Sequence, residues 1–193
     1  KYIILIILII IYFKNNKIKN FFKTLFFLFF FNTAMAQDLS NTIYLELEYG
    51  KVVIEMKPEY APQHVKRIKQ LIKEKFYDGL KFHRVIEGFM AQTGDPKGDG
   101  TGGSGYNLPA EFNSLLHERG TVSMARAQDP DSADSQFFIC FQDSPSLDGQ
   151  YTVWGQVVEG MEFVDKIKRG SGQNGMVNNP DKIVSMKLAL DSK

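Results

Sequence analysis

From Thr42 onward the apolar residues come in short runs, and each run stops at a cluster of Gly, Pro, Asn, Asp or Ser. This constrains the fold more than any other feature, because a strand turns successive side chains to opposite faces. "NTIYLELEYGKVVIEM" is the clearest case. Ile43, Leu45 and Leu47 share one face, and Val52, Ile54 and Met56 share one after the "YG" turn. The segment predicts a β-hairpin with one buried face. Further runs stand at "LKFHRVI" and "GFMAQTGD" around Gly88, then at "GTVSMARA", "SQFFICF", "YTVWGQVV" and "IVSMKLAL". Turn signals "QDPDSADS", "DSPSLDGQ" and "NGMVNNPD" separate the later ones.

Two segments change period. In "APQHVKRIKQLIKEKF" the residues Val65, Ile68, Leu71 and Ile72 form a helical stripe, with Lys66, Arg67, Lys69, Lys73 and Lys75 mostly on the other face. "MEFVDKIKRG" predicts a short helix with Phe163, Val164 and Ile167 inward and Gly170 closing it. The resulting expectation is an all-β fold with two helices. It takes the form of a closed eight-stranded antiparallel β-barrel capped by both helices, since closure removes exposed strand edges. No repeat or linker interrupts this body, so it is one domain.

The first 36 residues differ: they hold five lysines and no Asp or Glu. "KNNKIKN" reads as a basic n-region, "FFKTLFFLFFF" as an apolar h-region, and "AMA" (Ala34–Ala36) as a cleavage site ahead of Gln37. The expectation is a removed leader, 1–36, and a mature domain, 37–193. A retained membrane anchor is the competing reading, although "FFKTLFFLFFF" and "YIILIILIIIYF" are each shorter than the roughly 20 residues of a spanning helix. Either way the body is expected to be exported, to the periplasm if the source is Gram-negative. The remaining chain carries 18 basic and 22 acidic residues, a formal charge of −4. A mildly acidic body argues against nucleic acid as the partner.

Several short motifs lack the context that their chemistry needs. Gly98, Gly100 and Gly103 spell G-x-G-x-x-G but open no helix, so a flexible surface loop is the better reading than a dinucleotide site. "DPDSAD" lacks the glycine and distal glutamate of a calcium loop. His64, His83 and His117 are scattered, without zinc-site spacing. Cys140, the single cysteine, sits in "QFFICF" and reads as a small buried hydrophobe rather than a catalytic thiol.

"FHRVIEGFMAQTGD" remains, with a permanent charge beside apolar residues. Followed in order by a Gly-rich loop, "SMARA", "SQFFIC" and "LDGQYTVWGQV", it resembles the cyclophilins, a family of peptidyl-prolyl cis-trans isomerases, from about Thr42 to Leu190. The resemblance implies an eight-stranded barrel with two helices. It also implies that Arg84 is the catalytic arginine and that Phe89, Met90, Phe138 and Leu147 wall a proline pocket. Gln92 and Gln136 match polar residues beside it, and Ala125 and Arg126 match the segment whose backbone pairs with the substrate. His83 matches a histidine next to the arginine and reads as structural. Four positions depart from the familiar eukaryotic pattern. Ser146 replaces a tryptophan, Tyr151 a histidine and Thr93 a glycine; Arg126 also replaces an asparagine. The missing tryptophan implies weak or no cyclosporin binding, while Tyr151 keeps an aromatic wall.

The partners so implied are proline-containing polypeptides, without cofactor or metal. A monomer is expected, and a membrane partner only if the leader is retained. Two other functions compete. A chaperone or scaffold that binds proline segments without turnover has no need of Arg84, and a nucleotide enzyme requires binding at the Gly-rich loop.

Overall fold

The computed structural model describes residues 39–192; the expected leader and cleavage site at Ala36 lie outside them. Eight strands form one antiparallel sheet. They are β1 (Thr42–Leu47), β2 (Gly50–Met56), β3 (Arg84–Ile86), β4 (Met90–Thr93), β5 (Thr121–Met124), β6 (Phe137–Cys140), β7 (Val153–Glu159) and β8 (Ser185–Leu188). Among the described residues the α-helices that pack on this sheet are α1 (Pro62–Lys73) and α2 (Met161–Val164), with α1 against β8 and α2 against β2.

The hairpin forms as its alternation predicts, with Leu47 opposite Gly50 and only Glu48 and Tyr49 in the loop. Gly50 has φ +142°, and a β-carbon there would stand 2.6 Å from the Phe163 ring, so glycine lets α2 lie against the turn. Helix α1 buries Val65, Ile68, Leu71 and Ile72, the stripe expected. Pro62 at its start has no N–H to satisfy. The next two donors, the backbone N–H groups of Gln63 and His64, reach the Glu111 carboxylate at 3.1 Å. A residue remote in sequence thus caps the helix. Helix α2 is shorter than expected. It ends at Val164, and although Val164 and Ile167 are buried, Phe163 is only partly so. Gly170 does not close it; its N–H binds the Val85 carbonyl at 2.9 Å.

The expected closed barrel is not what forms. The ladder runs β3-β4-β6-β5-β7-β2-β1-β8, a curled but open sheet whose ends, β3 and β8, do not pair. The reason lies in what covers those edges. β3 has three residues, and its free edge is taken by the irregular segment 170–177. Val85 donates to the Gly175 carbonyl (2.7 Å) and Val177 to the His83 carbonyl (3.0 Å). Further along, Phe82 donates to Asp181 (2.9 Å) and Gly79 to Ile183 (2.8 Å). The demand to cover edges is real, but here coil meets it.

The apolar run "FFIC" in β6 is buried along its whole length, yet it serves two clusters. Phe137 and Ile139 belong to the main core; Phe138 and Cys140 belong to a small second cluster with Met90. The neighbouring strands divide the same way. Val85, Ala91 and Val122 point to the core, leaving Arg84, Ile86, Met90, Gln92 and Ser123 on the opposite face.

Candidate active site

Strand register lines up the residues of that opposite face. Arg84 pairs with Gln92, Gln92 with Phe138, and Phe138 with Ser123, one row across four strands. Ile86, Met90 and Cys140 form the next row. A cavity of about 160 Å³ opens over these rows. Met90 and Phe138 make its floor, Phe89 and Leu147 its apolar flanks, and Tyr151 and Ala125 its far side. Arg84, Gln92 and Arg126 supply its polar wall.

Arg84 is held from two directions. Its Nε–H donates to the Asn174 carbonyl at 3.0 Å, and Nη1 donates to Gln92 Oε1 at 3.1 Å. Gln92 Nε2 in turn donates to Gln136 Oε1 at 2.9 Å. Gln136 Nε2 reaches the Gly100 and Gly102 carbonyls at 3.0 and 2.8 Å. A relay thus runs from the arginine into the Gly-rich loop. Gln136 itself lines a neighbouring cavity of about 270 Å³, which shares Gln92, Ala125 and Arg126 with the first. Partial burial lowers the Arg84 pKa from its usual value, but an arginine keeps its charge through such a shift.

That loop is built rather than slack. Asp95, buried at 1 % exposure, accepts from the backbone N–H groups of Lys97 (2.8 Å), Asp99 (3.1 Å) and Gly100 (2.6 Å). Asp134 accepts from the Ser104 hydroxyl and from the Gly105 N–H at 2.8 Å. Gly94, at φ +87°, enters the loop where a β-carbon would sit 2.4 Å from the Ser135 carbonyl oxygen. Thr93, whose departure from the glycine pattern had no interpretation in sequence, is buried, and its hydroxyl donates to the Lys81 carbonyl at 2.9 Å.

The aromatic side has its own support. Tyr151 meets Phe138 edge-on at 5.8 Å, and the His117 ring stacks on Phe138 at 6.0 Å. His117 Nδ1 lies 2.9 Å from Asp148 Oδ1 and Nε2 lies 3.0 Å from Ser123 Oγ. The order Asp, His, Ser is that of a hydrolytic triad. Ser123, however, is fully buried and no substrate reaches it, so the trio braces Phe138. Sequence reading left His117 as scattered, since its partners lie 6 and 31 positions away. His83 lies behind the wall at 1 % exposure, and burial pushes its pKa down. The Cys140 thiol is pushed up to about 12, by burial first and then by Asp148 and Asp143, so it is no nucleophile at neutral pH.

Residues 42–188 match the sequence profile described as "Cyclophilin type peptidyl-prolyl cis-trans isomerase/CLD". The chain belongs to the cyclophilin family. A probable peptidyl-prolyl cis-trans isomerase of Brucella suis is 55% identical over 174 residues, covering 83% of this chain and 89% of that one. Peptidyl-prolyl cis-trans isomerase B of Bacillus subtilis is 47% identical over 133 residues, covering 67% of this chain and 92% of that one. Among solved structures, a cyclophilin from Hirschia baltica matches with a TM-score of 0.72 at 29% identity, over 80% of this chain and 76% of that one. A Cryptosporidium parvum cyclophilin-type isomerase, crystallised in the presence of the dipeptide Ala-Pro, matches with a TM-score of 0.71 at 28% identity, over 76% of this chain and 98% of that one. This cyclophilin is a peptidyl-prolyl cis-trans isomerase: it accelerates rotation about Xaa-Pro bonds.

Proposed function

We propose that this isomerase acts on exported polypeptides as they fold, and that Arg84 carries the chemistry. The peptide C–N bond resists rotation by about 18–20 kcal/mol because resonance gives it double-bond character. The two Xaa-Pro isomers differ by only roughly 0.5–1 kcal/mol, so both must be released and only the twisted state favoured. Neither a nucleophile nor a metal is required. Met90, Phe138, Phe89 and Leu147 grip the proline ring, with Tyr151 closing the pocket. The backbone at Ala125–Ala127 holds the preceding residues. In the twisted amide the lone pair localises on the prolyl nitrogen, and Arg84 donates to it. That bond is weak to the planar amide, so it lowers the barrier selectively.

The observation that carries this reading is the Arg84–Gln92–Gln136 relay beside a proline-sized apolar cavity. With Nε and Nη1 engaged, the guanidinium plane is fixed before substrate arrives. A scaffold that merely held proline segments has no use for such an arrangement. The test is exchange kinetics on an Xaa-Pro peptide: Arg84→Ala loses isomerisation while the peptide still binds. Undiminished turnover in that variant removes the assignment.

Export rests on the leader-like residues before Gln37; the test is an intact mass of the secreted protein, with a chain beginning at Gln37 the expected result and one that keeps residues 1–36 the result that removes cleavage. A periplasmic location for a Gram-negative source, a monomer and the removal of 1–36 belong to the same proposal. Ser146 stands exposed on the turn Pro145–Leu147, where it offers no indole to a large cyclic ligand. Cyclosporin is therefore expected to inhibit weakly or not at all, as an inhibitor titration of the exchange rate reads directly.

A further inference from the structure

Arg126 lines both cavities, the proline pocket and its neighbour, and sits half-buried on their shared wall. Its guanidinium is fastened entirely to backbone. Nε and one Nη2 hydrogen go to the Gln150 carbonyl, at 3.2 and 3.0 Å. Nη1 donates to the Ala127 and Gln128 carbonyls, at 2.9 and 3.2 Å. The group stands 4.7 Å from the Tyr151 ring centroid and 6.0 Å from that of Phe112. None of the ion pairs among the described residues includes it. An arginine has five N–H donors; four bonds are accounted for, which leaves one Nη2 hydrogen and a whole positive charge without a carboxylate.

Carboxylates do stand nearby, but they are engaged elsewhere. Asp134 lines the second cavity with its oxygens on Ser104, Gly105 and Tyr106. Asp129 accepts from Asp131 N–H, and Asp131 from Ala110 N–H. The fixed cation therefore faces the path of the peptide residues that precede the proline, along Ala125–Ala127.

From this geometry we infer that Arg126 is a specificity-determining residue that selects substrates with an acidic side chain at one of the two positions before the proline. The inference rests on the isomerase reading of the cavity and adds the charge class of the substrate. Because the guanidinium is immobilised by carbonyls, a substrate carboxylate meets it without first ordering a flexible side chain. Asp134, of opposite sign, disfavours acid deeper in the second cavity, so the preference is confined to residues close to the proline.

The test compares peptides differing only by Glu or Gln at each of those two positions, a pair nearly equal in shape. Isomerisation is followed by NMR exchange with the purified protein. The expected kcat/KM ratio of Glu to Gln is about three- to fivefold at one of the positions, as for a half-exposed ion pair, and it shrinks as salt rises. In Arg126→Gln the ratio falls to about one, in Arg126→Lys part of it returns, and in Arg126→Glu a Lys-containing peptide becomes the preferred one. A ratio near one in the unaltered protein, with the Gln peptide still turned over, overturns the charge selection alone. A ratio that persists unchanged in Arg126→Gln assigns it to another group and overturns the role of Arg126. No acceleration of either peptide removes the isomerase reading of the cavity and the inference with it.

Discussion

Arg84 shows how far a single residue can be read in advance. A permanent charge beside Phe82, Val85 and Ile86 reads on its own as a stray surface arginine; only together with "SMARA", "SQFFIC" and "LDGQY" does it become a used charge, and the structure puts it on the wall of the cavity. What sequence does not reveal is its grip from behind, because Asn174 acts through a backbone carbonyl that any residue at that position also carries. The grip has a consequence for substitution. Arg84→Ala is expected to lower kcat/KM about 10²- to 10³-fold, comparable to removing one donor from a preorganised site, with little change in thermal unfolding. Arg84→Lys keeps the charge but cannot bond Asn174 and Gln92 while also facing the prolyl nitrogen, so it is expected to lose more than about tenfold.

The buried histidines support a second prediction at the same scale. His64 and His83 are both pushed below the ordinary value, by burial first, with Glu111 opposing for His64 and Asp95 for His83. The unfolded chain protonates them near 6.5 and so binds more protons than the folded one just below that pH. Their contribution to stability is complete above about 6.5 and declines as pH falls toward the lowered folded values. Urea midpoints from pH 7.5 down to 5 are expected to fall, while NMR titration shows both rings protonating only below 6.5.

Elements were legible where a two-residue period met a turn signal; seven of the eight strands lie within the runs expected, and β7 runs one residue past its own, to Glu159. Parity inside an unbroken apolar run was less accessible. "FFIC" alone does not tell which pair faces the core; the resemblance named Phe138 for the pocket, and the pairing with Gln92 and Ala91 supplies the physical reason. The Gly-rich loop, expected to be flexible, owes its order to Asp95 and Asp134, whose partners, the Ser104 hydroxyl apart, are backbone N–H groups without sequence signature. The start of α1 makes the same point. The carboxylate that caps it belongs to Glu111, 48 positions from Gln63. Glu111→Ala is expected to cost about 1–2 kcal/mol, the usual range for a lost cap, measured by denaturant unfolding. Burial raises the Glu111 pKa, but the His64 ring and the N–H groups of His64 and Gln63 outweigh it and hold the pKa below the usual range. The cap is thus complete above the ordinary carboxylate value near 4.3 and is lost as pH falls through the lowered one. The variant and the unaltered protein are expected to converge in stability under acid.

At the scale of the whole molecule, a closed barrel was the wrong expectation for an instructive reason. Strand patterns state which residues are half-buried, while closure depends on what lies beside the two end strands. Here segments 170–177 and 181–183, which carry turn residues and no alternation, bond to the free edge of β3 and to the coil before it. The same segment 170–177 grips Arg84, so the irregular edge and the charge proposed as catalytic are one construction.

The pairing of β1 with β8 has a further consequence, in the order of synthesis. Ile43 lies opposite Leu188, 145 positions later, so among the described strands the first in sequence is flanked on one side by the last. Contacts this distant close late, because the loop entropy must be met before the pairing rewards it. A nascent chain that has emerged only as far as Pro180 lacks the partner for β1 and the segment that lies under Phe82. Such a chain is expected to be cut rapidly by protease, whereas the finished one resists. A sheet in which β1 pairs with β8 stays incomplete until Ser185–Leu188 has emerged, and such a delay keeps the chain open to other partners for as long as that strand is missing.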